Sequence, residues 1–267
     1  MEGPQAVREA MAAGLVVELF VEAGRGHADL VIAAAGIRVS PITAEGLAAL
    51  AETMNPQGLV AVCRQRHHDE LAPVLAGRPD LVVVLAGIAD PGNAGTVLRT
   101  ADAAGASAVV FPEGAVDPYN GKVVRASAGS LLHVDLVRGG SAAVAVDTLR
   151  SSGLRVLAAD PYGADDLDDL IDRGALCGRT AWLFGSEAHG LPEDLAVLAD
   201  ARVRVPIHGR AESLNLGAAA AVCLYASARA QRSGAAPVRA RDERSGPAGP
   251  AGADEGRPPS ERRKSPS

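Results

Sequence analysis

The chain has 267 residues, 48% of them apolar, and a formal net charge of −6. That apolar share supports packed cores and excludes a wholly disordered or fibrous chain, while the acidic balance excludes an affinity built on blanket phosphate neutralisation. With aromatics at only 3%, a core has to be filled by Ala, Val, Leu and Ile, which favours strands and helices stacked in α/β layers.

In chain order, Pro4 to Ala13 predicts a short helix ended by Gly14, and Leu15 to Val21 an apolar strand. Thr43 can cap a helix running to about Thr53, and Asn55-Pro56-Gln57-Gly58 supplies turn chemistry before a strand at Leu59 to Cys63. A polar helix or linker lies between about Arg64 and Arg78. Leu81 to Ala86 then predicts a buried strand, followed by a Gly/Pro/Asn loop, a helix from about Asn93 to Ala104 closed by Gly105, and a strand at Ala108 to Phe111. This is a βαβ unit and implies parallel pairing. Further strands are predicted at Arg155 to Ala158, Trp182 to Phe184 and Arg202 to Val205, with a last helix from Ser213 to about Arg232. Beyond Ser233, Gly, Pro, Ala, Ser and mixed charge without an apolar period predict a disordered, solvated tail. The expected division is a small α/β unit over 1–66, a linker over 67–80, a larger α/β unit over 81–232 and the tail over 233–267.

Cys63, Cys177 and Cys223 are far apart and in no metal-ligand spacing, so the sequence points to neither a disulfide framework nor a zinc site, and a reducing compartment fits. Apolar runs such as Leu81 to Ala86 are too short to span a bilayer, and the N-terminus lacks a basic n-region. A cytoplasmic chain with no membrane and no metal is expected. The acidic total leaves room for local cations, since Arg99, Lys122, Arg125, Arg202, Arg204, His208 and Arg210 cluster around three motifs.

The first motif, Asp90 to Ala101, lies between a buried strand and a helix, where loops of open α/β sheets hold ligands. Its glycines permit close backbone approach, and Arg99 on the first turns could reach a phosphate or ribose, or be an ordinary exposed arginine. The second, Gly185 to Pro192, follows the Trp182 strand and is not the G-x-S-x-G elbow of hydrolases, because Ala188 stands where that pattern needs glycine. Glu187 could accept hydrogen bonds from loop amides or from Arg99, or be a solvated carboxylate; His189 reads as structural or exposed. The third, Val205 to Gly217, again runs strand, loop, helix. Ser213 suits a helix N-cap, whereas Asn215 in a first turn needs a partner to be tolerated.

These segments resemble the three signature motifs of the SpoU (TrmH-like) RNA methyltransferases: N-x-G-x-x-x-R-T at Asn93 to Thr100, G-S-E-x-x-G-L at Gly185 to Leu191, and P-I-x-G-x-x-E-S-L-N at Pro206 to Asn215. Asp117 to Gly129 is similar to the family's segment after its second strand, so the resemblance covers most of residues 81–232. Residues Glu2 to Ala10 and Pro56 to Gly58 resemble the small ribosomal-protein-like substrate-binding domain often fused upstream. That domain normally starts earlier, so a truncated start, at a downstream Met, is expected.

The resemblance implies a parallel-sheet α/β domain of the SPOUT type with a C-terminal trefoil knot, an exception to the rule of unknotted connections. It implies a homodimer, S-adenosylmethionine as methyl donor, and transfer to a ribose 2′-hydroxyl of RNA. Gly185, Val205, Ile207, Gly209 and Leu214 fall at donor-binding positions, where apolar contacts and backbone hydrogen bonds suffice for adenine. The catalytic set it implies is Arg99, Asn93, Glu187, Ser213 and Asn215. A guanidinium stays protonated at any physiological pH, so making one a base near neutrality is costly. Arg99 is therefore expected to clamp the ribose and its phosphate and to stabilise a developing alkoxide rather than to act as base, with the other four fixing Arg99 and the loops. Ribosomal RNA is the expected substrate, ahead of transfer RNA on the same fold. A non-catalytic RNA-binding or resistance protein would not need all five polar residues. A nucleotide-cofactor oxidoreductase is disfavoured because no G-x-G-x-x-G follows a strand.

Overall fold

The computed structural model describes residues 1–234, so the expected tail lies almost wholly outside the described residues. The first third carries helix α1 (Pro4–Ala12), strand β1 (Val16–Glu22), helix α2 (Ala28–Ala33), strand β2 (Arg38–Ile42), helix α3 (Ala44–Leu50) and strand β3 (Leu59–Cys63). The strands form a sheet in the order β2-β1-β3, with β2 parallel and β3 antiparallel to β1. Helix α1 lies on it through Val7 and Ala10, one turn apart and both fully buried. Thr43 caps α3 as expected, its Oγ1 accepting from the Gly46 amide at 3.1 Å, although α3 ends at Leu50 rather than near Thr53. The unit α2-β2 carries no strong apolar period and was not foreseen.

The rest runs α4 (Ala72–Ala76), β4 (Leu81–Leu85), α5 (Pro91–Ala104), β5 (Ala108–Phe111), α6 (Gly121–Ala126), β6 (Asp135–Arg138), α7 (Ala142–Ser151), β7 (Arg155–Ala159), β8 (Asp165–Asp166), α8 (Leu167–Asp172), β9 (Thr180–Phe184), α9 (Glu193–Ala196), β10 (Ala201–Arg204) and α10 (Leu216–Gly234). Seven strands form one sheet in the order β6-β5-β4-β9-β7-β10-β8, and every pair in it is parallel. Such a sheet is covered on both faces, which is why β4 (LVVVL) and β9 (TAWLF) are buried at every residue. Because successive side chains point to opposite faces, Val83, Leu85, Trp182 and Phe184 pack with Leu98 of α5 and Leu224 of α10. Val82, Val84 and Leu183 pack on the other face with Val146 and Leu149 of α7.

Two tight contacts set the helix layer over the first face. A Cβ on Gly95 would stand 2.8 Å from the Val123 carbonyl oxygen of α6, and one on Gly217 would stand 2.8 Å from the Thr96 methyl, so α5 meets both neighbours at glycine. The segment before α4 joins the sheet edge. The His68 amide donates to Leu136 O at 2.8 Å and the Arg138 amide to His68 O at 2.9 Å, while the Tyr119 hydroxyl donates to Arg66 O at 2.7 Å.

Candidate active site

Ligand crevices in such sheets lie beyond the carboxyl ends of strands, and three of these ends carry the motifs. Leu85 of β4 registers with Phe184 of β9, and Phe184 with Ala159 of β7, which in turn registers with Val203 of β10. At a strand spacing of about 4.8 Å, the loops after β4, β9 and β10 thus leave the sheet within roughly 15 Å of one another.

Helix α5 begins at Pro91, two residues before the expected start, because Asp90 is its N-cap: the Asp90 side chain accepts from the Asn93 amide at 2.8 Å, with Pro at the first helical position. That backbone hydrogen bond, helped by Lys122 with its Nζ 3.5 Å away, holds the Asp90 carboxyl below the usual carboxylate range. Capping turns Asn93 outward from the first turn. Its Nδ2 donates to Glu187 Oε1 at 3.0 Å, and its Oδ1 accepts from Asn215 Nδ2 at 3.1 Å. One amide therefore joins all three motifs.

Glu187 sits in a closed turn over Ser186–Gly190, held by reciprocal amide-to-carbonyl bonds of 3.0 and 2.9 Å between Ser186 and Gly190. Gly185 is buried where this turn closes, and a Cβ there would collide with the backbone of Gly190 and Leu191. Glycine at Gly185 is thus demanded by the turn itself. His189 is exposed and its amide donates to Ser186 Oγ at 3.2 Å, the structural role expected.

The third motif departs from expectation at its helix start. Helix α10 begins at Leu216, not Ser213, and Asn215 is the N-cap, its Oδ1 accepting from the Gly217 amide at 2.9 Å and the Ala218 amide at 3.4 Å. Asn caps as well as Ser does, and here the Asn amide also reaches Asn93, so the cap that makes a second bond is the one used. Ser213 stays in the exposed loop ahead of the helix. Val205 and Ile207 are half-buried, Gly209 is exposed, and Leu214 is 38% exposed. Loop amides and carbonyls beside these aliphatic side chains offer what an adenine needs, and they suit an S-adenosylmethionine moiety in residue type.

Arg99 takes no part in the Asn93 network. Glu187 and Asn215 bond to Asn93 and not to Arg99. Arg99 is exposed and lines, with Thr96, Thr100 and Ala103 of α5, a shallow groove of about 280 Å³ that also touches Ala126, Ala221 and Tyr225. The expected cluster of free cations is likewise thinned by pairing. Arg125 bonds to Glu2 and Glu52, Arg202 to Asp160 and Glu193, and Arg204 to Asp166. Asp90 is the one site residue that the motif pattern leaves out, although Asp-Pro ahead of an apolar helix is itself a capping signature. Among the described residues, no group of three or more His, Cys, Asp or Glu is arranged to hold a metal, and no helix is long and apolar enough to cross a membrane.

Comparison with known proteins supports one family throughout. The SpoU rRNA Methylase family profile matches residues 80–225, and the RNA 2′-O ribose methyltransferase substrate binding profile matches residues 1–68. The chain is 34% identical over 227 residues to the 23S rRNA (guanosine(2553)-2′-O)-methyltransferase RlmP of Bacillus subtilis, across 84% of this chain and 86% of that protein. It is 34% identical over 228 residues to the 23S rRNA (guanosine-2′-O-)-methyltransferase RlmB of Bordetella pertussis, across 82% of this chain and 91% of that one. Among solved structures, the SpoU methyltransferase AviRb of Streptomyces viridochromogenes with AdoMet superposes with a TM-score of 0.76 at 28% identity, over 87% of this chain and 90% of AviRb. The AdoMet-bound rRNA methyltransferase of Sinorhizobium meliloti does so with a TM-score of 0.73 at 29% identity, over 86% of each chain. The chain belongs to the SpoU rRNA methylase family of S-adenosylmethionine-dependent RNA 2′-O-ribose methyltransferases.

Proposed function

We propose that the chain methylates a ribose 2′-hydroxyl of 23S ribosomal RNA in the cytoplasm, with residues 81–232 holding donor and target and residues 1–66 holding the RNA. The observation that carries this reading is the Asn93 amide bonded at 3.0 Å to Glu187 and at 3.1 Å to Asn215, which gathers three strand-end loops into one site. The names of the Bacillus and Bordetella relatives support ribosomal over transfer RNA.

Bound S-adenosylmethionine supplies a methyl group made electrophilic by its sulfonium. Gly185, Val205, Ile207, Gly209 and Leu214 hold the adenine end, the last by an exposed aliphatic face. Asn93, Glu187 and Asn215 fix the loops, and Ser213 lines the loop just ahead of the cap. With donor bound, the methyl would pass to the ribose 2′-oxygen, whose proton would be lost to water, and the sulfonium would leave as a neutral thioether. Such a displacement needs collinearity, so positioning contributes several orders of magnitude. Exposed and outside the Asn93 network, Arg99 is free to grip ribose and phosphate and to stabilise the oxygen as negative charge develops.

The chain works as a homodimer in this reading. Val222 and Tyr225 leave 43% and 52% of their surface bare on α10, beside the Arg99 groove, so a second copy seated there would complete the site. A trefoil-knotted chain belongs to the same reading. It is supported by the late strands entering inside the sheet, β9 between β4 and β7, and β10 between β7 and β8.

The test is tritium transfer from labelled donor to a 23S rRNA transcript, followed by alkaline hydrolysis, which leaves a 2′-O-methylated dinucleotide intact. Arg99→Ala is expected to lower turnover by about 100-fold or more while leaving donor affinity within about twofold. Near-normal turnover would end the role given to Arg99, and label in a base rather than a ribose would end the reaction assignment.

A further inference from the structure

Tyr162 is 91% exposed, in a chain with only three Tyr, three Phe and one Trp. Phe111, Phe184 and Trp182 are the largest buried side chains, and the Tyr119 hydroxyl is engaged by Arg66. A bare aromatic on a loose surface loop would mean little. Tyr162 instead sits on a turn that is locked from several sides.

The Tyr162 amide donates to Asp160 Oδ1 at 2.9 Å and the Gly163 amide to Asp160 O at 2.9 Å. The other Asp160 oxygen, on a side chain only 11% exposed, takes the Arg202 guanidinium at 2.7 Å. Arg204 donates to the carbonyls of Gly163 and Ala164 at 3.0 and 3.2 Å and pairs with Asp166 at 3.1 Å. Gly163 is buried against the Arg202 backbone so closely that no side chain would fit. Two arginines of β10 thus pin the turn that displays the ring. The bracing holds the connection from β7 to β8 across β10 and leaves the ring bare on a fixed turn.

Where it is displayed decides what it meets. Tyr162 follows β7, the strand between β9 and β10. Ala159 at its end registers with Phe184, next to Gly185, and with Val203. Three residues of chain reach at most about 10 Å, so the turn that carries Tyr162 lies within that distance of the end of β7, the strand flanked by the two that lead into the loops assigned to the donor. The arginines beneath it are neutralised by Asp160, Glu193 and Asp166, which makes this turn a poor phosphate site. With those two arginines paired, what the turn offers is the flat face of the ring, which suits a π-face.

We propose that Tyr162 is a positioning residue for the RNA, stacking on an unpaired base that flanks the methylated nucleotide and so holding the target ribose at the rim of the site. The inference rests on the RNA methyltransferase reading above. Stacking on an aromatic side chain is tolerant of base identity and strong enough to matter for a single nucleotide. Tyr162 would therefore add affinity and register without selecting a base.

The full chain, as wild type, Tyr162→Ala and Tyr162→Phe, would be compared for methylation of the 23S rRNA transcript, and separately for filter binding of that transcript without donor. Tyr162→Ala is expected to raise KM for RNA and weaken RNA binding about tenfold, with kcat, donor Kd and thermal midpoint unchanged, while Tyr162→Phe stays near wild type. Unchanged RNA affinity overturns the proposal. So does a loss in donor affinity, which would place the ring on the donor, or a change in oligomeric state, which would place it against protein. If the wild type binds the transcript but does not methylate it, the reaction reading fails while the binding comparison still judges Tyr162.

Discussion

At the level of single residues, the site turns on one side-chain amide used in both directions. Asn93 offers an N–H to the Glu187 carboxylate and a carbonyl to Asn215, and no isosteric residue does both. Asn93→Asp keeps the acceptor for Asn215 but sets a second carboxylate 3.0 Å from Glu187. It is expected to lower kcat/KM by more than about tenfold, and the double variant Asn93→Asp/Glu187→Gln to recover part of that loss, because Gln can donate to the new carboxylate. Additive losses in steady-state assays would show that the two residues do not act through their shared bond. The motifs carrying these residues were readable from sequence, but their pairings were not. Residue type says that Glu187 wants a donor, and spacing cannot say that the donor stands 94 positions earlier. For the same reason Ser213 reads as the cap until the loop geometry shows Asn215 in that place.

Among the elements, the long apolar runs were legible and the short ones were not. Strands β4, β5 and β9 are buried throughout, so hydrophobicity alone marks them. Helix α7 and strand β6 were missed, since four to ten residues of mixed character stand out only once packed against neighbours. Two polar contacts bind elements that the apolar pattern merely juxtaposes. Trp182 Nε1 of β9 donates to Ser227 Oγ of α10 at 2.9 Å, with both residues fully buried. Ser227→Ala strands that N–H and is expected to cost about 1–3 kcal/mol, read as a lower urea midpoint by the fluorescence of the single tryptophan. His133 bonds Asp102 of α5 at 2.8 Å and Glu9 of α1 at 3.3 Å. The Asp102 bond first, and Glu9 after it, hold the imidazole above its ordinary value. A raised folded value means this stability is fully present below about pH 6.5 and is lost as pH rises through the folded value. The ring is 44% exposed, so its worth is under about 1 kcal/mol. His133→Asn should therefore lower the melting temperature at pH 6 and leave it unchanged at pH 9; an equal shift at both would show that protonation is irrelevant to the contact.

For the molecule as a whole, the α/β layers follow from composition, parallel pairing from one βαβ unit and the full parallel sheet from the family resemblance, whereas the small N-terminal sheet is recognised through only two of its three strands. Its β2 is exposed or half-buried along its length and carries Pro41, so little marks it as a strand until β1 pairs with it. The proposed dimer gives a prediction at this scale. Val222→Glu with Tyr225→Glu puts two charges on the bare face of α10 and is expected to halve the mass seen by sedimentation equilibrium at micromolar protein, without lowering helix content; an unchanged mass would move the subunit contact elsewhere. The join between His68 and β6 has a different kind of consequence. A lone peptide group from before α4 takes up hydrogen-bonding positions on the outermost strand of the large sheet, at 2.8 and 2.9 Å. A fragment begun at Leu81 would strip that cover and leave a raw strand ready to recruit its own kind. Solubility of the catalytic half is thus lent to it by the connector, and trimming the protein to its enzymatic core invites aggregation before any loss of chemistry can be measured.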